Sequence, residues 1–314
     1  MSKGPRTRTQ TKSTETTKRK NRSKNNSTSS QDGETLEDVL NHLSGLPKPP
    51  KNMYESVTGH ARIQADGFIK NLEKNIRLPI PIHEKRRVKL EKDEDYVAAQ
   101  YVKLENSEYV IAQAPNKQNH RDIWRIVWQD QIKVMVSLTN DDQFGEDDKK
   151  CYPYFQIENG SSKEIELKKG KFIIACKSKE TLSMGMAQNV ALLCKEIFKM
   201  EVAVLRRSME NFVPPVFIQS FDGIYRSAIL WVNLMLLKDV EKRECFDVPE
   251  LIKKIMKMRP GSLSTYYSFC FTIAVSLHIG KESNWLDESE LNSKLGELTK
   301  GFNDRKLNDQ GVPI

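Results

Sequence analysis

The sequence predicts an α/β or α+β domain built on a mixed β-sheet flanked by helices. Short runs rich in Val, Ile and Tyr are interspersed with longer segments whose apolar residues recur at helical spacing. The chain has 314 residues, 38% of them hydrophobic, enough for one substantial core plus a tail. No internal repeat recurs along it.

Residues 1–32 are expected to form a disordered basic tail. Residues 1–30 hold nine Lys or Arg and one acid, Glu15, and no Leu, Ile, Val or aromatic residue. Such a segment buries too little apolar surface to offset the entropy of ordering. Of 50 bases and 42 acids in the chain, the remaining 41 of each cancel, so the net charge of +8 belongs to the tail. "TKRKNRSK" reads as a nuclear import signal, as an arm for nucleic acid or another polyanion, or as a plain solubilising terminus. The first 30 residues lack the apolar stretch of a secretory leader. The longest apolar runs, "SAILWVNLMLL" and "YSFCFTIAVSLHI", fall short of the ~20 residues that span a bilayer. A soluble cytoplasmic and/or nuclear protein is expected, with no membrane contact. The five cysteines, Cys151, Cys176, Cys194, Cys245 and Cys270, are odd in number and widely spaced without a C-x-x-C pair. They indicate buried thiols instead of a disulfide framework or a zinc site, and no metal or cofactor is expected.

Residues 33–50 predict a short helix and linker. "GETLEDVLNHL" places Leu36, Val39, Leu40 and Leu43 at helical spacing behind a capping Thr35, and "SGLPKPPKN" breaks the chain. The main domain is expected over 51–300, with a C-terminal tail at 301–314. A helix is expected over "ADGFIKNLEKN". "DYVAAQYVKL", "EYVIAQAP" and "IKVMVSLTN" read as strands. Between the last two, "NHRDIWRIVWQDQ" places Ile123, Trp124, Val127 and Trp128 on one helical face. "KEIELKKGKFIIACK" predicts a hairpin turning at Lys169 and Gly170. A long helix follows from about Met186 to Arg207. "VFIQSFDGIYRSAIL", Val216 to Leu230, reads as strand, loop and helix. Two more helices are expected, one with Val248, Leu251, Ile252, Ile255 and Met256 on a face, the other from Ser264 to about His278.

From about Asp66 to His278 the chain resembles the classical protein-tyrosine phosphatase domain, whose fold carries a mixed, highly twisted sheet flanked by helices. The family's Lys-Asn followed by Arg-Val-x-Leu is met by Lys74 and Asn75, then Arg87, Val88 and Leu90. "DYVAA" (Asp95 to Ala99) is similar to the family's "DYINA", "YVIAQAP" (Tyr109 to Pro115) to "YIxTQGP", and "DIWRIVW" (Asp122 to Trp128) to "DFWxMVW". "CYPYF" (Cys151 to Phe155) resembles "C-x-x-YWP", and "MRPGSLSTYYSF" resembles "RxGxVQTxxQYxF". Each match alone is weak; in order and at the right spacing they are specific.

The resemblance implies that the loop Ser220, Phe221, Asp222, Gly223, Ile224, Tyr225 and Arg226 is the family's phosphate loop, written His-Cys-x5-Arg. There, backbone N–H groups at a helix N-terminus hold phosphate and an ionised cysteine attacks phosphorus. Here Gln219 stands at the histidine, Ser220 at the cysteine and Arg226 at the arginine. A hydroxyl ionises far less readily than a thiol, so Ser220 is expected to be a neutral, degenerate position. The family's Trp-Pro-Asp acid is absent, the nearest carboxylate being Glu180, and the family's water-positioning glutamines become Ser264 and Ser268. In the vestigial substrate loop "KNIRLP", Asn75 is kept while Arg77 replaces the stacking tyrosine and Pro79 the backbone-gripping aspartate. Asp222, if it faces the cradle, would repel each unit of phosphate charge by about 4 kcal/mol at ~4 Å. Arg226 either attracts an anion or pairs with a carboxylate such as Asp222.

The resemblance therefore implies a catalytically inactive phosphatase-like protein, a pseudophosphatase similar to the divergent members abundant in nematodes, which binds another protein such as a kinase or phosphoprotein. A nucleic-acid-binding or nuclear scaffold protein using residues 1–30 is the alternative from a different class. A residually active phosphatase is a third.

Overall fold

The computed structural model describes residues 65–71, 74–75, 82–91, 96–104, 107–147, 149–155, 162–167, 170–176, 184–207, 213–242, 248–259, 261–263 and 265–308. The expectations for the basic tail and for the helix and linker at 33–50 fall outside them, as do the last six residues of the expected 301–314 tail, whose residues 301–308 belong instead to the helix Glu288–Asn308. A seven-stranded mixed sheet organises the rest, in the order β1-β2-β3-β7-β4-β6-β5. Its strands are β1 (Arg87–Lys89), β2 (Tyr96–Leu104), β3 (Ser107–Gln113), β4 (Val134–Leu138), β5 (Ser162–Leu167), β6 (Gly170–Cys176) and β7 (Val216–Ser220). Strands β3, β7, β4 and β6 run parallel, while the β1·β2, β2·β3 and β5·β6 pairs are antiparallel. The expected mixed sheet with flanking helices is what the chain forms.

Side chains alternate across the sheet because successive residues of a strand face opposite ways. Tyr109, Ile111, Val134, Val136, Val216 and Ile218 join the larger core, and Val110, Ala112, Met135 and Phe217 the smaller one. The larger core holds α3 (Ala187–Arg207), α4 (Tyr225–Lys242), α5 (Val248–Met258), α6 (Tyr266–Glu282) and α7 (Glu288–Asn308). The smaller one is closed by α2 (His120–Gln129), while the short α1 (Asp66–Lys70) buries Phe68. β7 is buried along its whole length, as a parallel strand covered on both faces must be, and α4 is buried almost all round.

Several expectations need correction. The helix read over 65–75 is only the single turn Asp66–Lys70, and the residues after it include a second turn at Lys74. On α2 the core-facing residues are Ile123, Ile126 and Val127; Trp124 is half-buried and Trp128 is 51% exposed, so the two tryptophans do not share the buried face. At 100° per residue Trp128 falls about 160° round the helix from Ile126 and about 140° from Ile123, so its ring points away from the stripe that Ile123, Ile126 and Val127 form. The last-named helix begins at Tyr266, not Ser264, because Thr265 is its N-cap: the Thr265 side chain accepts from the Ser268 N–H at 3.1 Å. The long helix and the buried face of α5 (Val248, Leu251, Ile252, Ile255) agree with the pattern; the hairpin closes one residue earlier than expected, with Gly170 opening β6 opposite Leu167 instead of lying in the turn. No helix among the described residues is long and apolar enough to cross a membrane.

Candidate functional site

The loop between β7 and α4 stands at the C-terminal end of the central parallel strand, where open α/β sheets place ligands. Its entry and exit are tightly held. The Ala114 N–H donates to the Ser220 carbonyl at 2.8 Å, joining the end of β3 to the start of the loop. Gly223 has φ +71°, and a Cβ there would lie 2.7 Å from the Gln113 backbone nitrogen and 2.9 Å from the Ala112 carbonyl carbon. Only glycine combines that conformation with that approach. Behind the loop, the buried Arg259 donates from Nε and Nη2 to the Gly223 carbonyl at 3.3 and 3.2 Å, and from Nη1 to Gln100 Oε1 at 3.1 Å. The Gln100 amide in turn donates to the Met258 carbonyl at 2.9 Å.

Ser220 is 1% exposed. Its Oγ lies 3.2 Å from Ser227 Oγ and 3.2 Å from Asp222 Oδ1, and it accepts from the Gly223 N–H at 3.0 Å. No imidazole or amine among the described residues is hydrogen-bonded to it. The neighbouring Gln219 supplies a neutral amide: its Oε1 accepts from the Tyr154 hydroxyl, and its Nε2 faces Ser137 Oγ at 3.3 Å, Thr139 Oγ1 at 3.5 Å and Cys151 Sγ at 3.8 Å.

Asp222 faces inward. Its Oδ1 accepts from the Ile224 N–H at 2.7 Å and the Tyr225 N–H at 3.2 Å, donors of the last loop residue and the first residue of α4 that have no partner inside the helix. The N–H groups that would meet an anion at this helix terminus are thus engaged by a side chain of the same loop.

The expected pairing of Arg226 with a carboxylate such as Asp222 is not what the structure forms. Arg226 Nη1 donates to the Leu138 carbonyl at 3.0 Å, Asn140 Oδ1 at 2.7 Å and Gln143 Oε1 at 3.2 Å, all neutral acceptors on the turn after β4. The three acceptors gather on the one Nη1 group, and the Asp222 oxygen is already taken by two N–H bonds. Burial pushes the Arg226 guanidinium below its usual range, with the charges of Asp222 and then Asp142 opposing.

The two remaining candidates that are described, Ser268 and Asn75, make no hydrogen bond to this loop. Ser268 is buried and turned into its own helix start, its Oγ donating to the Thr265 carbonyl at 2.8 Å and receiving the Thr265 hydroxyl at 2.9 Å. Asn75 accepts the Tyr96 hydroxyl at 2.7 Å and donates to the Asn71 carbonyl at 2.7 Å, a structural brace. Burial raises the Tyr96 phenol to about 12 and keeps it a donor. Glu180, Ser264, Arg77 and Pro79 lie outside the described residues. Sequence reasoning did not pick out Asn140, Gln143, Gln100, Arg259 or Ser227 as site residues. Arg259 stood within a quoted motif, while Asn140 and Gln143 occupy a polar turn with no pattern of their own. No group of three or more His, Cys, Asp or Glu that could hold a metal occurs among the described residues, and Cys151, Cys194 and Cys270 are buried thiols.

Comparison with known proteins adds the lineage. The chain is 23% identical over 236 residues to mouse tyrosine-protein phosphatase non-receptor type 20, covering 67% of this chain and 54% of that one. It is 33% identical over 138 residues to human receptor-type tyrosine-protein phosphatase zeta (41% of this chain, 6% of that one). It is 30% identical over 141 residues to human tyrosine-protein phosphatase non-receptor type 9 (40% and 23%). The chain thus spans at most about half the length of these relatives. The family profile for protein-tyrosine phosphatase matches residues 71–200 and 187–278, the stretch that holds the sheet, the loop and its supporting arginine, and the chain belongs to the protein-tyrosine phosphatase family.

Proposed function

We propose that this chain is a catalytically inactive member of its family, a pseudophosphatase that works by binding another protein, with a kinase or phosphoprotein as the partner class. The observation that carries the reading is Ser220: a buried hydroxyl in the nucleophile's place, tied to Ser227, Asp222 and the Gly223 N–H, beside a glutamine that cannot take its proton. An alkanol needs an adjacent base to attack phosphorus at neutral pH, and the one carboxylate oxygen in reach already accepts two N–H bonds. The absence of a Trp-Pro-Asp sequence removes the acid for the leaving group, worth about 10²- to 10⁴-fold. The test is hydrolysis of a small aryl phosphate by the wild-type chain beside Arg226→Ala. Equal rates at the level of buffer support the reading, and a wild-type rate well above the variant overturns it.

A second reading is favoured by one feature, the +8 charge concentrated in residues 1–30. On that reading the tail binds nucleic acid and the domain serves a nuclear scaffold. A salt-dependent RNA or DNA mobility shift that disappears when residues 1–30 are deleted supports it; no shift in the intact chain removes it.

A further inference from the structure

Two guanidiniums border the loop, and neither is hydrogen-bonded to a carboxylate among its described partners. Arg259 is 2% exposed, and its donors go to the Gly223 carbonyl and the Gln100 amide oxygen. Arg226 is partly buried, and Nη1 goes to the Leu138 carbonyl and the side chains of Asn140 and Gln143. Guanidiniums stay protonated, and charges withdrawn from water require a nearby counter-charge. Burial works against the charge of both arginines; Asp222 is the carboxylate that opposes this at both, joined by Asp142 at Arg226. Its Oδ1 also sits where the Ser220 hydroxyl and the Ile224 and Tyr225 N–H groups meet, at 3.2, 2.7 and 3.2 Å. The charge balance between the arginines and the convergence of donors are separate observations, and both lead to the same oxygen.

We infer that Asp222 is a resident anion: its carboxylate fills the oxyanion seat of the loop, neutralises the two arginines and closes the seat to inorganic phosphate, sulfate and phosphate monoesters. This rests on the reading that the loop performs no hydrolysis and gives the physical means by which it also stops binding. Removing the carboxylate vacates the seat while leaving both arginines and the loop's N–H groups in place.

The experiment is chemical rescue read by thermal unfolding of the full chain, with inorganic phosphate or tungstate at low millimolar concentration against chloride of matched ionic strength. Asp222→Ala should melt below wild type and regain about 2–4 °C when the oxyanion is added, while wild type stays unmoved by it. Asp222→Ser keeps a capping oxygen, so it folds even if the alanine variant does not, and it should show the same gain. Adding Arg226→Ala to either variant should abolish the gain. A wild type as responsive as the variants, variants that do not respond, or a response that survives loss of Arg226 overturns the inference. Hydrolysis by wild type in the aryl phosphate assay would instead overturn the proposed function, so the two failures are distinguishable.

Discussion

Ser220→Cys places a thiol in the same nest of Ser227, Asp222 and the Gly223 N–H. A thiol ionises near pH 8.5 unperturbed; the Gly223 N–H favours the thiolate while burial and the Asp222 carboxylate oppose it, so the variant should react slowly with alkylating agents at neutral pH and faster once Asp222→Ala is added, where wild type does not react. It should still hydrolyse an aryl phosphate more than about 10²-fold slower than an active tyrosine phosphatase, since the parts of such a site act as a unit. Mass spectrometry after iodoacetamide and a rate assay check the two halves; a rate within that margin would mean a site that one substitution had silenced. Gly223→Ala should cost about 1–3 kcal/mol through its left-handed conformation alone, and more through the contact with the Gln113 nitrogen, as read from urea unfolding. At this scale the frame Ser220, Gly223, Arg226 was legible because a strand, a seven-residue loop and a helix have fixed spacing. The partner of Arg226 was not, because its acceptors come from a turn more than 80 residues earlier in the chain. The orientation of Asp222 was equally hidden: one rotamer caps the helix and another faces away, and sequence does not choose between them.

Packing of whole elements rests in part on a buried cluster at the far end of the sheet from the loop. Lys238 on α4 donates to Glu201 of α3 at 2.8 Å, and to Ser107 Oγ at 3.1 Å and the Tyr109 hydroxyl at 2.5 Å on β3. Burial raises the Glu201 carboxyl above its usual range, with the Lys238 charge opposing, and its Oε2 is buried without a hydrogen-bond partner. Lys238→Met should therefore cost about 3–5 kcal/mol by leaving a buried carboxylate unpaired. A carboxyl whose folded pKa is raised adds stability below its unfolded value near 4.5 and loses it as pH rises through the folded value. The deficit of Lys238→Met relative to wild type should thus be smaller at pH 5 than at pH 8 in urea titrations. Glu201→Leu combined with Lys238→Met should recover most of it. Strands and long helices were legible in the sequence because their periods differ, 2 against 3.6, and the order of the motifs supplied the topology. The failures are local: Trp128, on the far side of α2 from its buried stripe, and the start of α6, where Thr265 is the N-cap.

For the molecule as a whole, charge and core are separate in sequence, the excess of eight bases lying in residues 1–30 and the remaining acids and bases balancing. Deleting residues 1–30 should leave the thermal midpoint within about 2 °C of the intact chain and abolish salt-sensitive retention on heparin; a drop of many degrees would mean that the tail contributes to the fold. The central claim is that a phosphatase frame persists around a loop that no longer receives phosphate. It is tested most directly by calorimetric titration of the full chain with a phosphotyrosine peptide and its unphosphorylated twin. With Asp222 bonded to the Ile224 and Tyr225 N–H groups, and with Arg77 and Pro79 standing where the sequence resemblance expects a ring-stacking tyrosine and a backbone-gripping aspartate, the two peptides should bind equally, however weakly. Micromolar affinity that requires the phosphate and is lost in Arg226→Ala would contradict the account.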